Sequence, residues 1–275
     1  MSLSEDIAYV EISGKILKRG ARMKKTVDIC LCLKISEKRW AVALRNGEAC
    51  FNPIEIFIKK AEKSKNNEQG DKYEGIFARM NKCDKRLSML QQRFGNDLEI
   101  IADREHVLLR RKSSRRIPIF CMYGIKNEEL SLVEESIKQK PGKITGEARY
   151  EFPDKMYEGF LDTKNVYGYY ASSGHFMGAI EDGLRSQGLA YCKSLINYDI
   201  DLNSEFYIEP TGSYAELGHK RADLSYQHEI RYWLPFYPRD EKYLLPYKPL
   251  SEHSCSVVPG AMCLEMNCVL DRLPE

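Results

Sequence analysis

The stretch Tyr226–Leu234, YQHEIRYWL, constrains the fold more than any other part of the chain. It reads as a β-strand. On a strand, alternate side chains point to opposite faces, so Tyr226, His228, Ile230, Tyr232 and Leu234 share one face, and Gln227, Glu229, Arg231 and Trp233 share the other. The first set asks for a core and places His228 among packed residues. The second sets an amide two residues from a carboxylate on a rigid support. That pair can hold a sugar hydroxyl and stabilise a cation developing at a glycosidic carbon. The competing reading is a solvated face on which Glu229 and Arg231 are ordinary cross-strand partners. Gln-x-Glu by itself does not separate the two.

The rest of the chain alternates strand-like and helix-like segments irregularly. TVDICLCLKI (26–35) reads as a strand, EKRWAVALR after Ser36 as a helix stopped by Asn46-Gly47, EACF (48–51) as a short strand, and IEIFIKKAEK as a helix. A helix ending near Gly95 is followed by two or three strands within 98–125. NEELSLVEESIKQK (127–140), with early acids, late lysines and Pro141-Gly142 behind it, predicts a helix aligned with its own dipole. Phe176, Ile180 and Leu184 recur at helical spacing. LAYCKSLINYDID (189–201) reads as a strand. The class expected is α+β, with mainly antiparallel twisted sheets and flanking helices. One domain over 1–275 is expected, with a mobile insert at 62–96 and a Pro-rich extension at 237–275.

Composition narrows the setting. The 42 Lys+Arg and 40 Asp+Glu are unevenly placed: residues 1–120 carry a net +10 and residues 121–275 a net −8. A basic half can meet nucleic acid or an acidic partner, or the halves can complement each other internally. RRKSSRR (110–116) is either a phosphate-contacting cluster or a solvated hairpin tip turning at Ser113-Ser114. No run of 18 apolar residues and no apolar leader segment occur, so no membrane partner is expected. Nine cysteines without a leader point to a reducing cytoplasm. His253, Cys255, Cys263 and Cys268 are more widely spaced than structural zinc ligands usually are, and no metal site is expected. Asp71, Glu74 and Glu229 are a weaker, metal-dependent nuclease alternative. No P-loop, G-x-G-x-x-G or G-x-S-x-G is present.

In order, ALRNGEACFNP (43–53), GDKYEG (70–75), IFCMYG (119–124), HFMGAIEDGL (175–184) and KRADLSYQHEIR (220–231) resemble a group of small microbial proteins, several found near phage-defence genes. Their layout is similar to the ADP-ribosyltransferase arrangement. The resemblance implies NAD as cofactor, a macromolecular acceptor (protein or nucleic acid) and a role in phage defence or as a toxin. By position it implies Glu229 and Gln227 as catalytic residues. Lys34 (where His or Arg is usual) and Tyr123 become NAD contacts, and a second role for the chain is non-catalytic binding of a defence or counter-defence partner through the basic half.

Overall fold

In a computed structural model, strands dominate and nearly all pair antiparallel, with few helices beside them. The chain is α+β. The structure describes residues 8–9, 29–64, 70–140, 143–151, 153, 155, 166–251, 254–259 and 263–271. They form two compact units, each built from separated segments: residues 1–49, 122–183 and 245–275 in the first, and 50–121 and 184–244 in the second.

In the first unit, Ile29–Glu37 lies antiparallel between Val166–Ser172 and the 122–126 part of Pro118–Lys126, and Cys255–Pro259 follows Val166–Ser172. The apolar run of Ile29–Glu37 is what a strand buried on both faces requires. Leu31, Leu33, Ile125, Ala148, Tyr150 and Tyr170 make one core. The helix Ser173–Ser186 buries Phe176, Ile180 and Leu184, as their spacing predicts. Phe176 packs between Tyr169 and Tyr247, with ring centroids 5.3 and 5.9 Å away.

The expected helix over 127–140 is not formed. A 3-10 turn Asn127–Glu129 leads into a strand, Ser131–Lys140, paired with Lys143–Glu151, which pairs in turn with Cys263–Asp271. Charges aligned with a helix dipole contribute only about 0.3–1 kcal/mol each. A ladder of six paired positions, interrupted between Val133 and Lys138, against an already paired neighbour outweighs them. Pro141 and Gly142 lie outside the described residues.

In the second unit, Leu98–Asp103, His106–Arg111, Ile76–Asn81 and Phe206–Tyr207 form one antiparallel sheet in that order. Phe77, Met80, Leu90, Val107 and Leu109 fill its core, so residues 76–94 belong to the packed body. The helix Lys85–Phe94 starts at Asp84, whose carboxylate accepts the Arg86 N–H at 2.8 Å, and stops at Gly95. Glu229–Trp233 runs between Cys192–Leu195 and Pro118–Lys126. Ile54, Ile58, Ile117, Ile119, Leu217 and Trp233 pack beside it.

Asn46-Gly47 ends the helix Lys38–Arg45 as read from the sequence. Gly47 takes φ +87°, and a Cβ there would lie 2.2 Å from the Tyr247 carbonyl oxygen. Gly47→Ala is therefore expected to cost more than about 1 kcal/mol. A shift of the urea unfolding midpoint measures the loss; an unchanged midpoint contradicts the turn geometry.

Candidate functional site

The second unit holds one dense group of ionised side chains, and its parts come from three places. A turn over Asp71–Glu74 precedes the strand Ile76–Asn81. Gly70 enters that turn against the helix Ile54–Ser64, so closely that a Cβ would sit 2.2 Å from the Phe57 carbonyl oxygen. Lys220 stands on the short strand His219–Arg221, parallel to Asn197–Ile200. A 3-10 turn over Ala222–Gln227 and a left-handed His228 (φ +40°) then deliver the chain into the strand Glu229–Trp233.

The Lys220 ammonium donates to Glu229 Oε2 at 2.5 Å and Gln227 Oε1 at 3.1 Å, and it forms an ion pair with Glu74 Oε1 at 3.4 Å. Arg231 Nε donates to Glu229 Oε1 at 2.7 Å. Its two terminal nitrogens grip Glu74 at 2.9 and 3.0 Å, and Nη1 also donates to the Leu217 carbonyl at 2.9 Å. The Glu229 backbone N–H donates to the Tyr198 hydroxyl at 2.8 Å. Beside this group Arg221 Nε donates to Asp71 Oδ2 at 3.3 Å. Glu74, Glu229, Lys220 and Arg231 are all buried, and their formal charges cancel. Isolated charges are not retained in such a setting; paired and hydrogen-bonded ones are.

Burial alone would raise the Glu229 carboxyl. The charges of Arg231 and Lys220 outweigh it and hold Glu229 well below the usual carboxylate range. Burial would likewise lower Lys220, but Glu229 and Glu74 push it up. Asp71 goes the other way: burial and the neighbouring Glu74 raise it, against the pull of Arg221. Burial and Glu229 together raise the Tyr198 phenol. Chemically, the group is a carboxylate held in its ionised form and an amide sharing one ammonium, all three buried.

Gln227 and Glu229 thus meet at one atom, but not as two positions on one straight strand. Gln227 belongs to the 3-10 turn, and the left-handed His228 turns the chain between them. The solvated-face reading fails, since every residue of Glu229–Trp233 is buried. Lys34 and Tyr123 belong to the first unit. Leu33 pairs directly with Tyr123, and Lys34 is one residue further along, so Lys34 and Tyr123 project from opposite faces of their sheet. Tyr123 packs on the Leu31–Leu33 core; Lys34 is half-buried opposite Tyr169. The sequence named Asp71 and Glu74 for metal chemistry and within GDKYEG, and Arg231 as an ordinary partner of Glu229, but gave Lys220 no role beyond opening KRADLSYQHEIR.

RRKSSRR is only partly solvated: Lys112 and Arg116 are exposed. Arg110 and Arg111 are buried, and Ser113-Ser114 sit in a 3-10 turn. Arg111 binds Glu216 at 2.7 Å and lies over the Tyr214 ring. Arg115 binds Glu99 and Glu55, and Arg116 binds Asp240.

Among the described residues no group of three or more His, Cys, Asp or Glu is placed to hold a metal ion, and no helix is long and apolar enough to cross a membrane. His253 lies outside the described residues. No family model, curated protein or solved structure matches the chain.

Removing one charge leaves its partners buried and uncompensated. Glu229→Ala is expected to cost about 3–5 kcal/mol, and adding Lys220→Met to recover part of it. Urea denaturation of the four proteins of that cycle measures the coupling. The depressed Glu229 contributes stability that is present above an unfolded carboxylate value of about 4 and lost as pH falls below it. Asp71, raised, contributes with the opposite sign. Stability followed from pH 7 to 3 is expected to fall less steeply in Glu229→Gln than in wild type; equal slopes would deny an ionised Glu229.

Proposed function

We propose that the chain is an ADP-ribosyltransferase-like protein that binds NAD and transfers ADP-ribose to a macromolecule. The observation that carries this reading is the convergence of Gln227 and Glu229 on the Lys220 ammonium in a buried setting. Breaking the bond between nicotinamide and ribose leaves positive charge on the ribose. A fixed carboxylate that stays ionised stabilises that charge without reorganising, which is where such sites gain most of their rate. In this reading Glu229 carries the charge and Gln227 orients the ribose or the acceptor. Lys34 and Tyr123 cannot grip one nucleotide from the same sheet face, so the reading rests on Gln227 and Glu229. Modifying a host macromolecule in this way suits a toxin or a phage-defence effector.

A second reading is favoured by one observation. Both Glu229 oxygens are already occupied, by Lys220 and by Arg231. On that reading the cluster is a scaffold, and the chain acts by binding a partner without catalysis.

Incubation with labelled NAD and cell extract separates the two. Wild-type protein is expected to label a macromolecule, and Glu229→Gln, checked for folding by its melting temperature, to lose at least about a hundredfold. Equal labelling by both proteins removes Glu229 from catalysis. No labelling by folded wild type favours the scaffold reading.

A further inference from the structure

Two guanidinium groups of the second unit keep buried nitrogens without a hydrogen-bond partner, and both lie against one turn. Arg110, on His106–Arg111, is 1% exposed. Its Nη2 donates to the Lys72 carbonyl at 2.8 Å, while Nε and Nη1 are buried and make no hydrogen bond. Glu99 Oε2 lies 3.8 Å from Nε, beyond hydrogen-bond range, and Arg115 holds both Glu99 oxygens, at 3.0 and 2.5 Å. Burial pushes the Arg110 guanidinium below its ordinary value; Glu99 opposes the fall and Arg115 adds to it. Arg221, on His219–Arg221, donates through Nε to Asp71 at 3.3 Å and through Nη1 to Asp223 at 3.0 Å. Its Nη2 is buried and makes no hydrogen bond. The Arg221 guanidinium lies 5.5 Å from the centre of the Tyr73 ring, and Lys72 Nζ lies 4.8 Å from the same centre. Three cations thus converge on Asp71, Lys72 and Tyr73.

We propose that Arg110 and Arg221 bind a phosphate group at the Asp71–Glu74 turn, either inorganic phosphate or the phosphate of a monoester. A buried, charged donor without an acceptor is costly, and folded proteins keep few of them; a bound ion or water completes those that persist. Here the orphaned donors are guanidinium nitrogens from two chain segments, Arg110 and Arg221, brought to consecutive residues of one turn. A water brings no charge to them. A phosphate brings negative charge and oxygens on several sides, the pattern that guanidinium groups recognise best. Lys72 is exposed, and Tyr73 and Arg221 are half-buried, so the phosphate reaches solvent beside them with Arg110 beneath. The site uses none of Gln227, Glu229 and Lys220 and needs no NAD, so it can fail or succeed independently of the ADP-ribosyl reading.

The full chain, prepared free of phosphate and sulfate, is titrated calorimetrically with inorganic phosphate and separately with phenyl phosphate, ionic strength being held constant with chloride. Wild type is expected to bind inorganic phosphate, and the bound ion to slow amide hydrogen exchange over residues 71–73. Arg110→Lys keeps the charge and loses the planar fork; Arg221→Gln loses the charge. Each, checked for folding by its melting temperature, is expected to bind at least about tenfold more weakly. Arg116→Gln, at an exposed arginine paired with Asp240, is expected to bind as wild type does. Binding of inorganic phosphate alone assigns the free ion as ligand, and binding of both compounds assigns a monoester. Wild type that binds neither overturns the proposal, leaving internal water to meet the orphaned nitrogens. So does binding that leaves exchange over residues 71–73 unchanged, a result that needs no variant to fold, and so does undiminished binding by folded Arg110→Lys and Arg221→Gln.

Discussion

The second unit is organised around one buried ammonium, that of Lys220. Lys220 stands in the interior because Glu229 and Gln227 accept its protons and Glu74 adds a second negative charge 3.4 Å away. A lysine so placed without partners would shed its proton or pull the chain apart. Every element that supplies an acceptor is therefore held to the position of Nζ. These are the Asp71–Glu74 turn, the 3-10 turn ending at Gln227 and the first residue of Glu229–Trp233. Arg231 closes the circuit by joining the same two carboxylates from the other side. Such a network is not by itself a gain in stability over a well-packed apolar core. Its effect is selective: a register or turn that misplaces one member leaves a buried charge exposed to the full cost of desolvation.

That constraint explains the charge asymmetry along the chain. The second unit joins residues 50–121 to residues 184–244, and its ion pairs connect the basic stretch with the acidic one. Arg93 pairs with Glu209, Arg111 with Glu216 and Arg116 with Asp240. Glu74 and Asp71 answer Arg231 and Arg221 in the reverse sense. Within the second unit, then, residues 50–121 and 184–244 complement each other, and Arg111, Arg115 and Arg116 of RRKSSRR are paired there.

Periodicity made the secondary structure legible where one face dominates. Phe176, Ile180 and Leu184 announced their helix, and the apolar run over 29–35 announced its strand. It failed over 127–140, where local charge order favoured a helix and the decisive contribution came from a neighbouring strand distant in sequence. The candidate site was half legible. Gln227 and Glu229 stood out because their spacing is short. Glu74 did not, because its partner Arg231 lies 157 residues away, and no local pattern reports a contact of that length. The sequence carried the clue in another form: GDKYEG and KRADLSYQHEIR, noted as separate motifs, hold all five cluster members between them.

His228 shows why a correct pairing can follow from an incorrect geometry. A straight strand would place Gln227 and Glu229 about 7 Å apart along one face, given about 3.4 Å per residue. Two side chains so separated can still reach one atom, but only at the cost of leaning together. The left-handed His228 shortens the chain there and brings the Gln227 amide to the ammonium that Glu229 already holds. A non-glycine residue in that conformation is uncommon, and holding one there costs about 1–3 kcal/mol that the surrounding contacts must outweigh. Here those contacts are named: the Lys220 bonds on one side and the Tyr198 hydroxyl on the Glu229 backbone on the other. The backbone bend and the ionic cluster are parts of one arrangement, and neither has a reason to persist without the other.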